Sequence, residues 1–464
     1  MALVPAKHEL SHSQKQAIEF LVDFTNSKNL VACLIGYAGT GKTYLLKYFL
    51  NDYFKGNSCV SAPTHKAVRI VEQQLLRKGR TLQSLLGLRV NTNLDNFDIS
   101  NPSFDPMGNE YIKNYNLIVI DECSMVNVSL FTLLIQKAKA YNTKVLFVGD
   151  NAQLPPIKEK ISLTFLCENK FTLTSIIRQK ADNPLLIILD IIRNDILNNT
   201  DDFYDYVCAN RRNINDKNEG YVILNEPDFK KSIVHFFNSN SFTNNIDHVR
   251  TLAYTNDAVG KWNKFIRDEL FNNPTDILIK HDLLTAYTTI TDDYLNPIII
   301  NSEDYILSNI RKYTTSAEIE TYAINLRAIN GALESKTLNI VDHTKTEGFK
   351  HFYKILRYLH NNAISGHGGN SKSSLWAKYY RFKNEYLSML NFTLNKDLKA
   401  FVKKDIDYGY GLTVHKSQGS TYNNVCVDLA DIVHNYNLQD DKNLRDRLIY
   451  VALSRATTLA TMKL

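Results

Sequence analysis

Apolar residues along this chain follow two alternating patterns. Continuous apolar runs at 30–35 (LVACLI), 58–62, 117–120 and 144–148 read as buried strands. Between them, residues 43–52, 65–78 and 129–141 space their apolar positions three and four apart, as a helix does. Such alternation predicts a parallel sheet with helices on both faces. A second alternating stretch begins near Asn183, with a strand at 249–254 and a helix through 259–270. It returns with a strand at 424–429 and a final helix at 441–452. The intervening residues 284–405 are polar and irregular, with β-rich runs at 296–300 and 305–310 and an aromatic-rich helical stretch at 374–390. This reads as a domain inserted into the second α/β domain. Residues 89–113 break the first rhythm, being rich in Asn, Asp, Ser and Pro with isolated aromatics at Phe97, Phe104 and Tyr111. They form either a long surface loop or a small inserted hairpin. The string GHGGN at 366–370 has no strand leading in and no GK[ST] closing it, so it reads as a turn.

Composition narrows the class. At 464 residues the chain is too long for one core, so several domains are expected. The net charge of +6 permits a polyanionic partner without demanding one, since a basic groove can hide in a near-neutral total. Cys33, Cys59, Cys123, Cys167, Cys208 and Cys426 lie far apart with no CxxC pair, which argues against zinc. Cys33 and Cys123 fall in or beside predicted core strands and read as small buried hydrophobes in a reducing compartment. Residues 1–12 contain no apolar signal region, and LLIILDII at 185–192 is short and broken by Asp190, a core helix rather than a span. The expected location is cytoplasmic, or the host cytoplasm if the chain is phage-encoded, with no membrane partner.

The first alternating stretch carries the most specific string. Gly36-Tyr37-Ala38-Gly39-Thr40-Gly41-Lys42-Thr43 fits G-x-x-x-x-G-K-[ST] between a predicted strand and a predicted helix. The glycines let backbone N–H groups converge on phosphates at the positive end of the helix. Lys42 then reaches the terminal phosphates and the Thr43 hydroxyl sits on Mg²⁺. The chain is expected to bind a nucleoside triphosphate. Its acidic partner stands at the end of the apolar run 117–120, as Asp121-Glu122. Asp121 is placed to hold Mg²⁺ and Glu122 to orient and deprotonate an attacking water, which favours hydrolysis over simple binding. A guanine-reading NKxD is missing, since Asn395-Lys396-Asp397-Leu398 lacks the second Asp, and so is LSGGQ.

Further strings surround these sites in a set order. They are Leu10-Ser11-His12-Ser13-Gln14, Ala62-Pro63-Thr64-His65-Lys66-Ala67, Asp121-Glu122-Cys123-Ser124-Met125 and Gly149-Asp150-Asn151-Ala152-Gln153-Leu154-Pro155-Pro156. Val414-His415-Lys416-Ser417-Gln418-Gly419-Ser420-Thr421 and Tyr450-Val451-Ala452-Leu453-Ser454-Arg455-Ala456 follow. The set resembles the Q motif and motifs Ia, II, III, V and VI of superfamily 1B DNA helicases, in the RecD- and Dda-like branch. The likeness covers nearly the whole chain and is weakest over 284–370. It implies an α/β fold of two RecA-like parallel-sheet domains, with a small inserted hairpin domain and a larger β-rich, SH3-like inserted domain. Residues 1–88 and 114–182 would form the first RecA-like domain, 89–113 the hairpin, 183–283 and 406–464 the second RecA-like domain, and 284–405 the larger insertion.

The resemblance also implies roles. ATP and Mg²⁺ are the expected cofactors, with Gln14 reading the adenine edge and Gln418 joining Gly36, Ala38, Gly39, Thr40, Gly41, Lys42 and Thr43 around the nucleotide. Gln153 would contact the γ-phosphate, and Arg178 and Arg455 would supply arginines to it, their forks matching phosphate oxygens. Thr64, His65, Thr81, Ser84, Asn256, Thr413, His415 and Lys416 would line a sequence-independent path for a single strand. Trp376, which would join these DNA contacts, and Phe382 fall where Dda-like chains carry a Trp and a Phe; a core place in the inserted domain is the alternative for both, and weighs more for Phe382. Phe97 or Phe104 would tip a strand-separating pin. The sequence departs from the pattern at Ser417, where Ala is commoner, and at Gln83, where relatives usually carry His. Leu464 follows the last motif closely, leaving little room for a tail.

The activity implied is 5′→3′ translocation on single-stranded DNA with unwinding of forked duplex, by a monomer that meets single-strand-binding or replication proteins. A DNA-stimulated ATPase that displaces proteins or anneals strands is the alternative. A nuclease–helicase subunit would need a partner chain, because no nuclease motif is present.

Overall fold

The structure is a computed structural model that describes residues 10–37, 39–88, 108–174, 182–292, 297–328, 335–366, 371–390 and 404–464. Ala38, Arg178 and the pin candidates Phe97 and Phe104 lie outside the described residues. The chain divides into two compact units, one of Met1–Ile233, Asp247–Ala258 and Thr413–Leu464, the other of Val234–Ile246 and Val259–Leu412.

The first unit is built on two sheets. In the first, strands run in the order Gly79–Thr81, Ser58–Ala62, Leu117–Ile120, Lys144–Gly149, Val31–Gly36, Lys170–Leu173, and every neighbouring pair is parallel. Alternate residues of each central strand serve opposite faces. Ala32, Leu34, Leu117, Val119, Leu146 and Val148 pack into one apolar core, while Cys33, Ile35, Ile118, Ile120, Val145 and Phe147 pack into the other. Period-two projection explains why these strands read as unbroken apolar runs: both faces are covered by helices. Cys33 and Cys123 are buried thiols in the second core, as expected. In the second sheet, Val249–Ala253, Tyr422–Asp428, Ala456–Lys463 and Gly220–Leu224 are parallel neighbours, with Arg212–Ile214 antiparallel at the edge. Two RecA-like domains with insertions is therefore the architecture, as the sequence pattern predicts.

The second unit is a mostly antiparallel sheet, whose edge strand Tyr386–Leu387 pairs parallel with Leu338–Val341, together with a helical pair. Its strands run Tyr386–Leu387, Leu338–Val341, Glu320–Ala328, Asp304–Thr314, Leu283–Ala286, Ile406–Tyr408. Here the structure departs from the reading of 284–405 as mostly irregular. Asp304–Thr314 and Glu320–Ala328 make a long hairpin, and Thr346–Ser365 is a 20-residue helix lying against Lys372–Glu385. That helix buries only Gly348, Phe352, Leu356 and Ala363, a stripe too narrow to stand out from its polar remainder. No helix among the described residues is long and apolar enough to cross a membrane.

Candidate functional site

The glycine-rich turn leaves the strand Val31–Gly36 and enters the helix Lys42–Tyr48. Gly39 and Gly41 hold φ of 89° and 77°, a left-handed backbone that favours glycine. A Cβ on Gly41 would come within 2.8 Å of Gln14 Nε2, so Gln14 lies directly against the loop. Gln14 is held there by a reciprocal cap: its N–H donates to Ser11 Oγ and its Oε1 accepts from Ser11 N, each at 3.2 Å. The carbonyl end is thus committed to the helix start, and the amide end faces the loop. Inside the loop, Tyr37 O accepts from Thr40 Oγ1 at 2.9 Å and from Lys42 Nζ at 3.1 Å, and Lys42 Nζ also donates to Gly36 O at 2.5 Å.

Asp121 and Glu122 follow the strand Leu117–Ile120, and Asp121 N donates to Ser61 O at 2.9 Å. Burial pushes the Asp121 carboxyl up, and the Lys42 charge pulls it back down. Glu122 is pushed up to about 7 by burial and then by the Asp121 charge, while Arg455 and Lys42 hold it down. A carboxyl balanced near neutrality suits proton transfer from water. Glu122 also stands at φ 52°, a conformation rare for a side chain with a Cβ and common at functional turns. Two half-buried carboxyls at this strand end, and the Thr43 hydroxyl in the first turn of the helix Lys42–Tyr48, are oxygen donors of the kind that suits a hard divalent cation.

The second RecA-like domain reaches this site through its last helix, Lys442–Ser454, and the turn after Val414–Ser417. Gln418 Nε2 donates to Ser124 Oγ at 3.1 Å and to Gln153 Oε1 at 3.2 Å, joining three of the motifs. Tyr450 OH donates to Asp150 Oδ2 at 2.6 Å, and Arg447 Nη1 donates to the carbonyls of Asn151 and Gln153, both at 2.6 Å. Arg455 is buried, donating to Val451 O at 3.1 Å, Ser420 O at 3.1 Å and Ser454 Oγ at 2.9 Å, and its charge is felt at Glu122. The sequence reading missed Arg447 and the pairing of Tyr450 with Asp150. Tyr450 was visible inside its motif, whereas nothing marked Arg447 apart from other surface arginines.

Four of the strand-to-helix turns share one chemistry. Thr64, Thr81 and Thr413 cap their helices by accepting from Ala67 N, Ser84 N and Lys416 N at 3.2–3.3 Å. Thr255, which the sequence reading passed over in favour of its neighbour Asn256, does the same for Ala258 N at 3.1 Å. Its hydroxyl and N–H, with the N–H of Tyr254, are held by the Asp431 carboxylate at 2.8–2.9 Å. Spacing gives the missed signal: Tyr254-Thr255-Asn256 follows its strand as Pro63-Thr64-His65 follows Ser58–Ala62. Asn256 is exposed, His65 is half-buried with its pKa lowered by burial, and Ser84 Oγ accepts from Arg80 at 3.3 Å. His415 and Lys416 lie on the turn that Thr413 caps, and the His415 ring lies 6.1 Å from that of Tyr254.

In the second unit, Trp376 is half-buried, stacked on Tyr380 at 5.8 Å and edge-on to His360 and Tyr379. Phe382 stacks on Phe352 at 5.9 Å within the small core of the helical pair, the packing role weighed for it above.

Residues 9–203 match the family described as AAA domain, and residues 408–462 the family described as UvrD-like helicase C-terminal domain. The chain is 26% identical over 502 aligned positions to the uncharacterized protein R530 of Acanthamoeba polyphaga mimivirus, covering 94% of this chain and 96% of that one. It is 23% identical over 288 positions to the ATP-dependent DNA helicase dda of Enterobacteria phage T4, covering 58% of this chain and 60% of that protein. A structure describing DNA unwinding at forked double-stranded DNA by two coordinating Pif1 helicases shares the fold, with a TM-score of 0.53 at 17% identity over 98% of this chain and 92% of that one. The chain belongs to superfamily 1B of the ATP-dependent DNA helicases, in the branch that holds RecD, Dda and Pif1.

Proposed function

We propose that the chain translocates 5′→3′ along single-stranded DNA and separates forked duplex, driven by ATP hydrolysis between its two RecA-like domains. The observation that carries this reading is the meeting of both domains at the nucleotide motifs: Gln418 Nε2 of one donates to Ser124 Oγ and Gln153 Oε1 of the other, beside Asp121-Glu122. In this reading Lys42 and Arg455, with Arg178, bind the terminal phosphates, and Glu122 takes the proton from the attacking water. Mg²⁺, when bound by Asp121 and Thr43, neutralises phosphate charge. Gln153 and Gln418 sit between phosphate and strand, and their shared hydrogen bond gives hydrolysis a direct route to the DNA-facing turns. The helix starts capped by Thr64, Thr81 and Thr413 offer hydroxyls and N–H groups to strand phosphates and read no base edges, whereas the Thr255 hydroxyl and N–H are already donated to Asp431. The tests are duplexes carrying a 5′ tail, a 3′ tail or both, with ATP and Mg²⁺. Strand separation from the 5′ tail is expected. Separation from the 3′ tail alone would reverse the polarity, and ATP turnover without separation would leave a remodelling ATPase.

A further inference from the structure

Arg193 belongs to none of the motifs, yet the fold delivers it to the phosphate loop. It sits on the helix Leu185–Asn198, which opens the second RecA-like domain. Its guanidinium carbon lies 4.0 Å above the ring of Tyr37, the second residue of the glycine-rich turn. Its side chain is 14% exposed, and it pairs with Asp190 one turn back on its own helix. The ion pair directs the guanidinium and leaves its flat face for the ring, the geometry in which a cation is drawn to an aromatic face.

What makes the contact consequential is the other end of Tyr37. Its carbonyl accepts from Lys42 Nζ at 3.1 Å, from Thr40 Oγ1 at 2.9 Å and from Thr40 N at 3.2 Å. The residue that orients the phosphate-binding lysine is thus pinned by its ring to the opposite domain. We infer that Arg193 is a positioning residue for ATP binding, acting through the Tyr37 ring to hold the phosphate loop in its binding shape when the two RecA-like domains are together. This inference rests on the reading of the loop as the ATP site.

Steady-state ATPase kinetics with saturating single-stranded DNA separate the alternatives. Arg193→Gln is expected to raise KM for ATP about tenfold, with kcat much less affected, because the contact shapes the loop before chemistry. Tyr37→Leu should raise KM as much, and the double variant no further, since both remove one contact. Tyr37→Phe keeps the ring and should restore affinity, and Arg193→Lys should restore part of it. If Tyr37→Leu leaves KM unchanged while Arg193→Gln raises it, Arg193 acts on the nucleotide directly and the inference fails. It fails equally if Arg193→Gln lowers kcat with KM unmoved, or if the two effects add. Absence of ATP turnover in the unaltered protein would instead overturn the ATP-site reading itself. Heat-denaturation midpoints of all variants serve as the control for folding.

Discussion

At single residues, the chemistry is concentrated where local structure is strained or over-committed. Glu122 is held in a left-handed backbone by a turn that also buries it, and burial brings its carboxyl to about 7. Lys42 is half-buried and donates to the main-chain oxygens of Gly36 and Tyr37 in its own loop. Replacing it by Ala removes charge from the phosphates and little from the core, so Lys42→Ala should abolish measurable ATP hydrolysis with an unchanged circular dichroism spectrum. Glu122→Gln keeps the shape of the side chain and removes the base. It should retain binding of a fluorescent ATP analogue while phosphate release falls by about 10²–10⁴-fold. Normal turnover by either variant would dismiss the site. Lys42, Thr43, Asp121 and Glu122 were legible because each belongs to a string whose spacing the chemistry dictates. Arg193, Arg447 and Asp431 were not, because they act through contacts made across long stretches of chain, and contact order leaves no local mark.

Among the elements, legibility followed periodicity. Strands of the parallel sheets are covered on both faces and announce themselves as apolar runs, whereas Thr346–Ser365 hides a narrow stripe in polar sequence. The same second unit contains a buried acid whose place no pattern signalled. Asp405 accepts from Ser388 N at 3.0 Å and from Thr288 Oγ1 at 3.3 Å, and burial pushes it up to about 6, with Lys383 opposing. Its folded pKa exceeds the ordinary 3.8, so its stabilising contribution is complete below pH 3.8 and is lost as pH rises through about 6. Asp405→Asn removes the ionisation and keeps an acceptor for Ser388. Relative to the parent, the variant should therefore gain little at pH 4 and up to about 3 kcal/mol at pH 8. Trp262 and Trp376, the chain's two tryptophans, both lie in this unit, so urea unfolding followed by their fluorescence reports on it. An effect of equal size at both pH values would show that Asp405 is not charged at a cost.

For the whole molecule, the net charge of +6 and the three threonine-capped turns proposed to meet strand phosphates together predict how DNA binding should respond to salt. Counterion release follows the cations that neutralise phosphates, at about 0.7 in log–log slope per contact on a single strand. Hydroxyls and backbone N–H groups hold phosphates without adding to that slope. The two kinds of contact can therefore be separated on one turn, because Thr413 caps the helix on which Lys416 stands. Lys416→Ala should flatten the slope of log K against log salt by about 0.7. Thr413→Val should instead weaken binding at every salt concentration and leave the slope alone. Losing a cap costs about 1 kcal/mol of helix stability, so affinity should fall by severalfold rather than vanish. Fluorescence anisotropy with unrelated oligonucleotides gives both quantities, and each should be nearly independent of sequence if the contacts are to phosphates, as proposed. A slope that drops for Thr413→Val, or an affinity that follows sequence, would mean that the capped turns do not carry the strand.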